Sequence, residues 1–160
     1  MRYLLLLVLF FSSYSITNVL ADTQDNKIQE IIDLFLNGSG TEAREQLELH
    51  ETVLNDAVSK TDNAATYLLL GRAYFYAERD SEAKIYLNTA LKYDPSLSKA
   101  HFFIGLIHKF SNDLASAENS FKEAIKLDKK NESYFYELGT VHEKQNKYPL
   151  ALIQYKNALN

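Results

Sequence analysis

Four histidines are the residues best suited to chemistry in this chain: His50, His101, His108 and His142. His101 and His108 stand seven positions apart (108 − 101), which puts them on one face of a helix. His142 lies 34 positions beyond His108 (142 − 108). Neutral imidazole is a common metal ligand and a common general base. A metal centre, however, needs several ligands converging on one point. Cysteine is absent, which excludes disulfides, thiol catalysis and cysteine-held zinc. The 21 aspartates and glutamates are scattered, with no matched acid–base pair. There is no Gly-x-Ser-x-Gly, no phosphate-binding glycine loop and no zinc-helix motif. Formal net charge is −4 with no basic stripe, which argues against nucleic acid as a partner. The expectation is therefore a protein with no catalytic residues, no cofactor and no metal.

The histidine spacing belongs to a larger register. Gly71, Gly105 and Gly139 are separated by the same 34 residues (105 − 71 and 139 − 105). Twelve positions after each stands Ala83, Ala117 or Ala151, and nineteen after stands Ala90, Ala124 or Ala158. A fixed period of this size marks a repeat architecture. In that register His101 takes the place of Tyr67 and Phe135, and His108 and His142 take the place of Tyr74. These are packing positions, so the rings are expected to wedge between helices rather than hold a metal. His50 lies outside the register with no visible partner.

The elements that must carry this register are helical. Repeat one, 64–97, reads Tyr67, Leu70-Gly71, Tyr74, Ala83, Leu87, Ala90 and Asp94-Pro95. Repeat two, 98–131, reads His101, Ile104-Gly105, His108, Ala117, Phe121 and Ala124, with Lys129 in place of the closing proline. Repeat three, 132–160, reads Phe135, Leu138-Gly139, His142, Ala151, Tyr155 and Ala158, and is slightly short. This pattern resembles the tetratricopeptide repeat family over residues 64–160. The resemblance implies an all-α fold, an α-solenoid of antiparallel helix pairs, helix A then helix B. Glycine and alanine let paired helices approach; Tyr67, Tyr74 and Leu87 fill the space beside them. Asn112 and Asn146 suit the left-handed turns between helices, and Pro149 suits a first helical turn. Residues 22–63 form a divergent helical hairpin, a degenerate or capping repeat. Its first helix carries Ile28, Ile31, Ile32, Phe35 and Leu36. Asn37-Gly38-Ser39-Gly40 stops it, and Thr41 is expected to cap a second helix reaching about Val58.

The resemblance also implies a concave face lined by helix A. Carried over position by position, that face holds Leu68, Arg72 and Phe75; Lys99, Phe102, Leu106 and Lys109; and Tyr136, Thr140 and Glu143, with Ala65 and Ser133 at the remaining sites. Phe102, Tyr136 and their apolar neighbours would make a strip for a protein or peptide partner, with Arg72, Lys99 and Lys109 adding positive charge. The plainer alternative is that these residues pack against neighbouring helices. Leu68 and Arg72 stand where the family's carboxylate clamp wants Lys and Asn, so that clamp is not expected. A second surface is the last helix, whose Leu152, Tyr155, Ala158 and Leu159 have no successor to cover them. That face suits a homodimer contact unless Gln154, Lys156 and Asn157 solvate it well enough.

The first residues have a different character. Met1-Arg2 precedes an apolar run from Leu4 to Phe11, and Val19 and Ala21 occupy the −3 and −1 positions of a signal-peptidase site. A signal peptide over 1–21 is expected, leaving no stable membrane span after cleavage because eight apolar residues are too few to anchor. Export to a bacterial periplasm fits the lack of cysteine; secretion is the other destination. Together these features point to an exported, non-enzymatic scaffold or adaptor, for example in an envelope or secretion assembly. The alternatives are a self-associating structural protein or a non-catalytic subunit of an enzyme complex.

Overall fold

The computed structural model describes residues 26–34, 36–59 and 63–159, and the side chains of all of these but 53–59. The expected signal segment, Phe35 and the apolar side chains at 53–58 lie outside that description. The chain divides into two compact units, one ending at Asp62 and one beginning at Asn63. All regular structure among the described residues is α-helical.

The first unit contains α1 (26–34) and α2 (Gly40–Ser59). Ile28, Ile31 and Ile32 of α1 and Ala43 and Leu47 of α2 are buried, as their helical spacing predicts. The chain turns between the helices at Gly38, whose φ of 83° is readily open only to glycine. Ser39 N–H closes the turn on Leu34 O at 2.9 Å. The second helix begins one residue earlier than the sequence suggests. Ala43 N–H already bonds Ser39 O at 2.9 Å, so Thr41 sits exposed inside the first turn and does not cap the helix.

The second unit is a stack of three helix pairs. These are α3 (Ala64–Tyr76) with α4 (Asp80–Tyr93), α5 (Ser98–Phe110) with α6 (Leu114–Leu127), and α7 (Glu132–Lys144) with α8 (Tyr148–Asn157). Within each pair the helices pack closely. Between pairs α4 meets α5 and α6 meets α7, while the first helices also touch in series, α3 to α5 and α5 to α7. This is an all-α solenoid.

The register explains the spacing of the pairs. A Cβ placed on Gly71 would lie 2.7 Å from Leu87 Cγ, one on Gly105 would lie 2.7 Å from Phe121 Cε1, and one on Gly139 would lie 2.5 Å from Tyr155 Cε1. The missing side chain is therefore where the large residue sixteen positions later lies against the helix. Ala83, Ala90, Ala117 and Ala124 are completely buried. One hairpin could not bury this much apolar surface; stacking does.

Turns and caps repeat with the same period. Asn112 and Asn146 both have φ of 60°, as expected, and Glu78 takes the same conformation at 63°. Asn63 and Asn131 cap α3 and α7, accepting from Ala65 N–H and Ser133 N–H. Pro149 stands in the first turn of α8. Asp94 closes repeat one by accepting from Ser96 N–H at 2.9 Å and Ser96 Oγ at 2.6 Å. These bonds, the hydroxyl's first, hold its carboxyl below the usual range. Asp128 makes the equivalent bond to Lys130 N–H at 3.1 Å, so the turn survives where Lys129 replaces proline.

Candidate functional site

The first helices of the three pairs present an aromatic ladder. Phe75 of α3 meets Phe103 of α5 edge-on at 5.2 Å, and Phe102 of α5 lies against Tyr134 of α7 at 4.9 Å. Ser98 Oγ and Tyr134 Oη add a hydrogen bond at 3.2 Å between α5 and α7. These contacts fix the spacing between helices and shape two clefts. The larger, of about 620 Å³, is lined by Phe102, Glu132, Ser133, Tyr136, Glu137, Tyr155, Ala158 and Leu159. The smaller, of about 170 Å³, is lined by Arg72, Lys99, Phe102, Phe103, Asn131, Ser133 and Tyr134. Phe102 and Ser133 line both, so the clefts adjoin as one groove along the first helices of the three repeats.

Of the residues expected on this face, Arg72, Lys99, Phe102, Ser133 and Tyr136 line the groove. Tyr136 is 56% exposed and rests on Tyr155 with ring centres 5.7 Å apart. Leu68 and Leu106 are buried, and Phe75 is half-buried among Tyr76, Phe103 and Phe110. Thr140 donates its hydroxyl to Glu137 O at 2.8 Å within its own helix. Glu143 accepts a hydrogen bond from Tyr155 Oη at 2.6 Å. Burial, and then that bond to a carboxylate, push the Tyr155 phenol up to about 12.

The three cations expected on this face are not equivalent. Lys109 is bonded to Glu137 of the next repeat, both side chains mostly buried, so its charge is neutralised. Arg72 lies over the Phe103 ring at 5.6 Å, and its Nε is buried with no hydrogen-bond partner. Lys99 is exposed, and neither it nor Arg72 pairs with a carboxylate among the described residues. Asn131, Tyr134, Glu132 and Leu159 are groove residues that the helix-A positions did not single out. The spacing of Asn131 from Asn63, two full repeats (131 − 63 = 68), is the signal that marks it as a recurrent cap beside the groove.

Of the three register histidines, His142 is buried and His101 and His108 are half-buried. His142 Nδ1 lacks a hydrogen bond and lies 3.9 Å from Glu118 Oε2. His108 Nδ1 lies 3.4 Å from Asp113 Oδ2. Among the described residues no three histidine or acidic side chains come together as a metal site. Glu118 joins α6 to the third repeat instead. Lys122 Nζ donates to it at 2.6 Å and Lys147 Nζ at 3.2 Å. Burial would raise its pKa, but bonds from Lys122, Lys147 and Gln145 outweigh that and hold it at about 2.

At the far end, α8 contacts α7 alone among the described helices. Leu152 is 56% exposed, Ile153 50% and Leu159 88%. Tyr155 and Ala158, expected to share this exposure, are half-covered, Tyr155 by its place against Gly139. No described helix is long and apolar enough to cross a membrane.

Residues 64–97 and 98–131 each match the family model described as tetratricopeptide repeat. Those two stretches are tetratricopeptide repeats. The chain is also 33% identical over 88 residues to the heat shock protein STI1 of Saccharomyces cerevisiae. That match covers 55% of this chain and only 15% of the yeast protein, so the chain spans a small part of its relative's length. Among solved structures the fold is similar to that of MamA, with a TM-score of 0.65 and 18% identity over 89% of this chain and 82% of that one. It is similar too to PilF of Pseudomonas aeruginosa, with a TM-score of 0.63 and 20% identity over 86% of this chain and 76% of that one. At such identities the likeness is one of fold. Stacked repeats of this kind form extended concave surfaces on which proteins bind.

Proposed function

We propose that this chain is a non-enzymatic scaffold or adaptor that holds a partner protein through the groove on its first helices. The observation that carries this reading is that the two clefts share Phe102 and Ser133, with Tyr136 exposed in the larger one. An extended or helical peptide segment suits such a groove, its apolar side chains lying against Phe102 and Tyr136. Immobilised full chain should capture a partner from its native cells that the Tyr136→Asp variant releases. Because Tyr136 is largely exposed, that variant should keep its fold, which circular dichroism checks. Equal retention by both proteins would refute the groove.

The leader pattern at residues 1–21 supports export, to the periplasm or outside the cell, and service there in an envelope or secretion assembly. The exported protein should then begin at Asp22 on N-terminal sequencing; a retained Met1 would contradict cleavage. A second reading is favoured by the exposed Leu152, Ile153 and Leu159, which suit self-association through α8. Light scattering distinguishes it, since a strict monomer at high concentration excludes a stable dimer.

A further inference from the structure

We infer that the groove selects a peptide with an acidic side chain at one end of its footprint and a large apolar side chain at the other. This inference rests on the groove reading above and gives it a chemical code. The smaller cleft carries Arg72 and Lys99, neither paired with a described carboxylate. Arg72 Nε is buried, so that edge of the guanidinium is closed, while the half-exposed side chain still lines the cleft. Its guanidinium is held over the Phe103 ring, which restricts the side chain before any ligand arrives. Two cations without a described carboxylate partner in one cleft favour a carboxylate, which accepts charge-assisted bonds from either.

Lys109, the other cation expected along this face, already serves Glu137. Positive charge is therefore confined to one end of the groove. The larger cleft offers Phe102, Tyr136, Ala158 and Leu159, with Glu132 and Glu137 at its margin. Glu137 is neutralised by Lys109, so Glu132 alone disfavours an acidic side chain there, whereas an apolar one covers surface that is now wet. The two ends differ in sign, so the groove fixes the direction of the bound segment as well as its composition. Like-charge exclusion at the Glu132 end adds to the attraction at the Lys99 end. The cleft at Arg72 and Lys99, at about 170 Å³, has room for an acidic side chain. The occupant we assign is therefore an Asp or Glu within a longer segment.

The test is selection of a random displayed-peptide library on three immobilised full-chain proteins: wild type, Lys99→Glu and Tyr136→Asp. Both substitutions change exposed side chains, so folding is retained and is checked by circular dichroism. Wild type should enrich peptides pairing Asp or Glu with a large apolar residue at a fixed separation. Lys99→Glu should keep the apolar preference and lose the acid, because the introduced carboxylate would neutralise Arg72 in the same cleft. Tyr136→Asp should enrich no common sequence. A synthetic peptide of the wild-type consensus should bind Lys99→Glu at least about tenfold more weakly in a fluorescence anisotropy titration. If wild type instead selects apolar peptides without an acid, and Lys99→Glu selects the same ones, the charge code is overturned while the groove stands. If wild type selects nothing, or Tyr136→Asp selects the same peptides as wild type, the groove itself falls and the inference with it.

Discussion

At the scale of single residues, the three register glycines differ in how much room they could gain. An alanine at 105 would press on the Phe121 ring, which is completely buried and has nowhere to go. An alanine at 139 would press on Tyr155, whose ring is part-exposed and can swing outward. Gly105→Ala should therefore cost about 1–3 kcal/mol of stability, and Gly139→Ala clearly less. Urea denaturation measures both, and equal costs would mean that the ring is not the obstacle. Adding Phe121→Leu to Gly105→Ala should cost less than the two changes separately, because the second relieves the clash made by the first. The left-handed turns give another contrast. Asn112 has φ of 60°, so Asn112→Ala should lose roughly 1 kcal/mol while Asn112→Gly should be nearly neutral. If both variants unfold at the wild-type midpoint, the turn imposes no such restriction.

At the scale of elements, Glu118 shows how neighbouring repeats are held in register by charge as well as by packing. Its carboxyl titrates at about 2 in the folded chain, below the ordinary 4.5, because Lys122, Lys147 and Gln145 hold the ionised form against the cost of burial. A depressed folded value means that the contribution is complete above the unfolded pKa and disappears as pH falls from about 4.5 towards 2. Because the lysine ends are exposed and screened by water, at full strength it is on the order of 1 kcal/mol. Glu118→Gln should therefore be less stable than wild type at pH 6, and the gap should close on acidification; a gap that stays constant would remove Glu118 from the acid limb. This contact was not legible in the sequence, since Glu118 and Lys147 are 29 residues apart and on different helices. The helices themselves were legible, because close approach of two helices demands small residues at a fixed spacing and Gly71, Gly105 and Gly139 declare it. The start of α2 was not, because Ser39 O can take the first helical bond and draw Gly40 into the helix. The groove was half legible. Helix position marks Phe102 and Tyr136, but it could not foresee that Lys109 is taken by Glu137, that Leu68 and Leu106 are buried, or that Leu159 returns to the cleft from α8.

At the scale of the whole second unit, stability should be uneven along the stack. In repeat arrays each element draws its stability from its neighbours, so an element with more of them opens less often. The helix α5 packs against α3, α4, α6 and α7, whereas α8 packs against α7 only. Its outer residues Leu152 and Ile153 are left half in water. Amide hydrogen exchange should thus be slowest in α5 and fastest in α8, with α3 and α7 between. Uniform protection across 64–157 would show that the unit opens only as a whole. The same measurement separates the two surfaces at which a partner could sit. If copies of the chain associate through α8, its protection should rise as the protein is concentrated, while the amides of α5 stay unchanged. If the groove is the binding surface, concentration should change nothing, and a selected peptide should slow exchange in α5 and α7, the helices that carry Phe102, Ser133 and Tyr136.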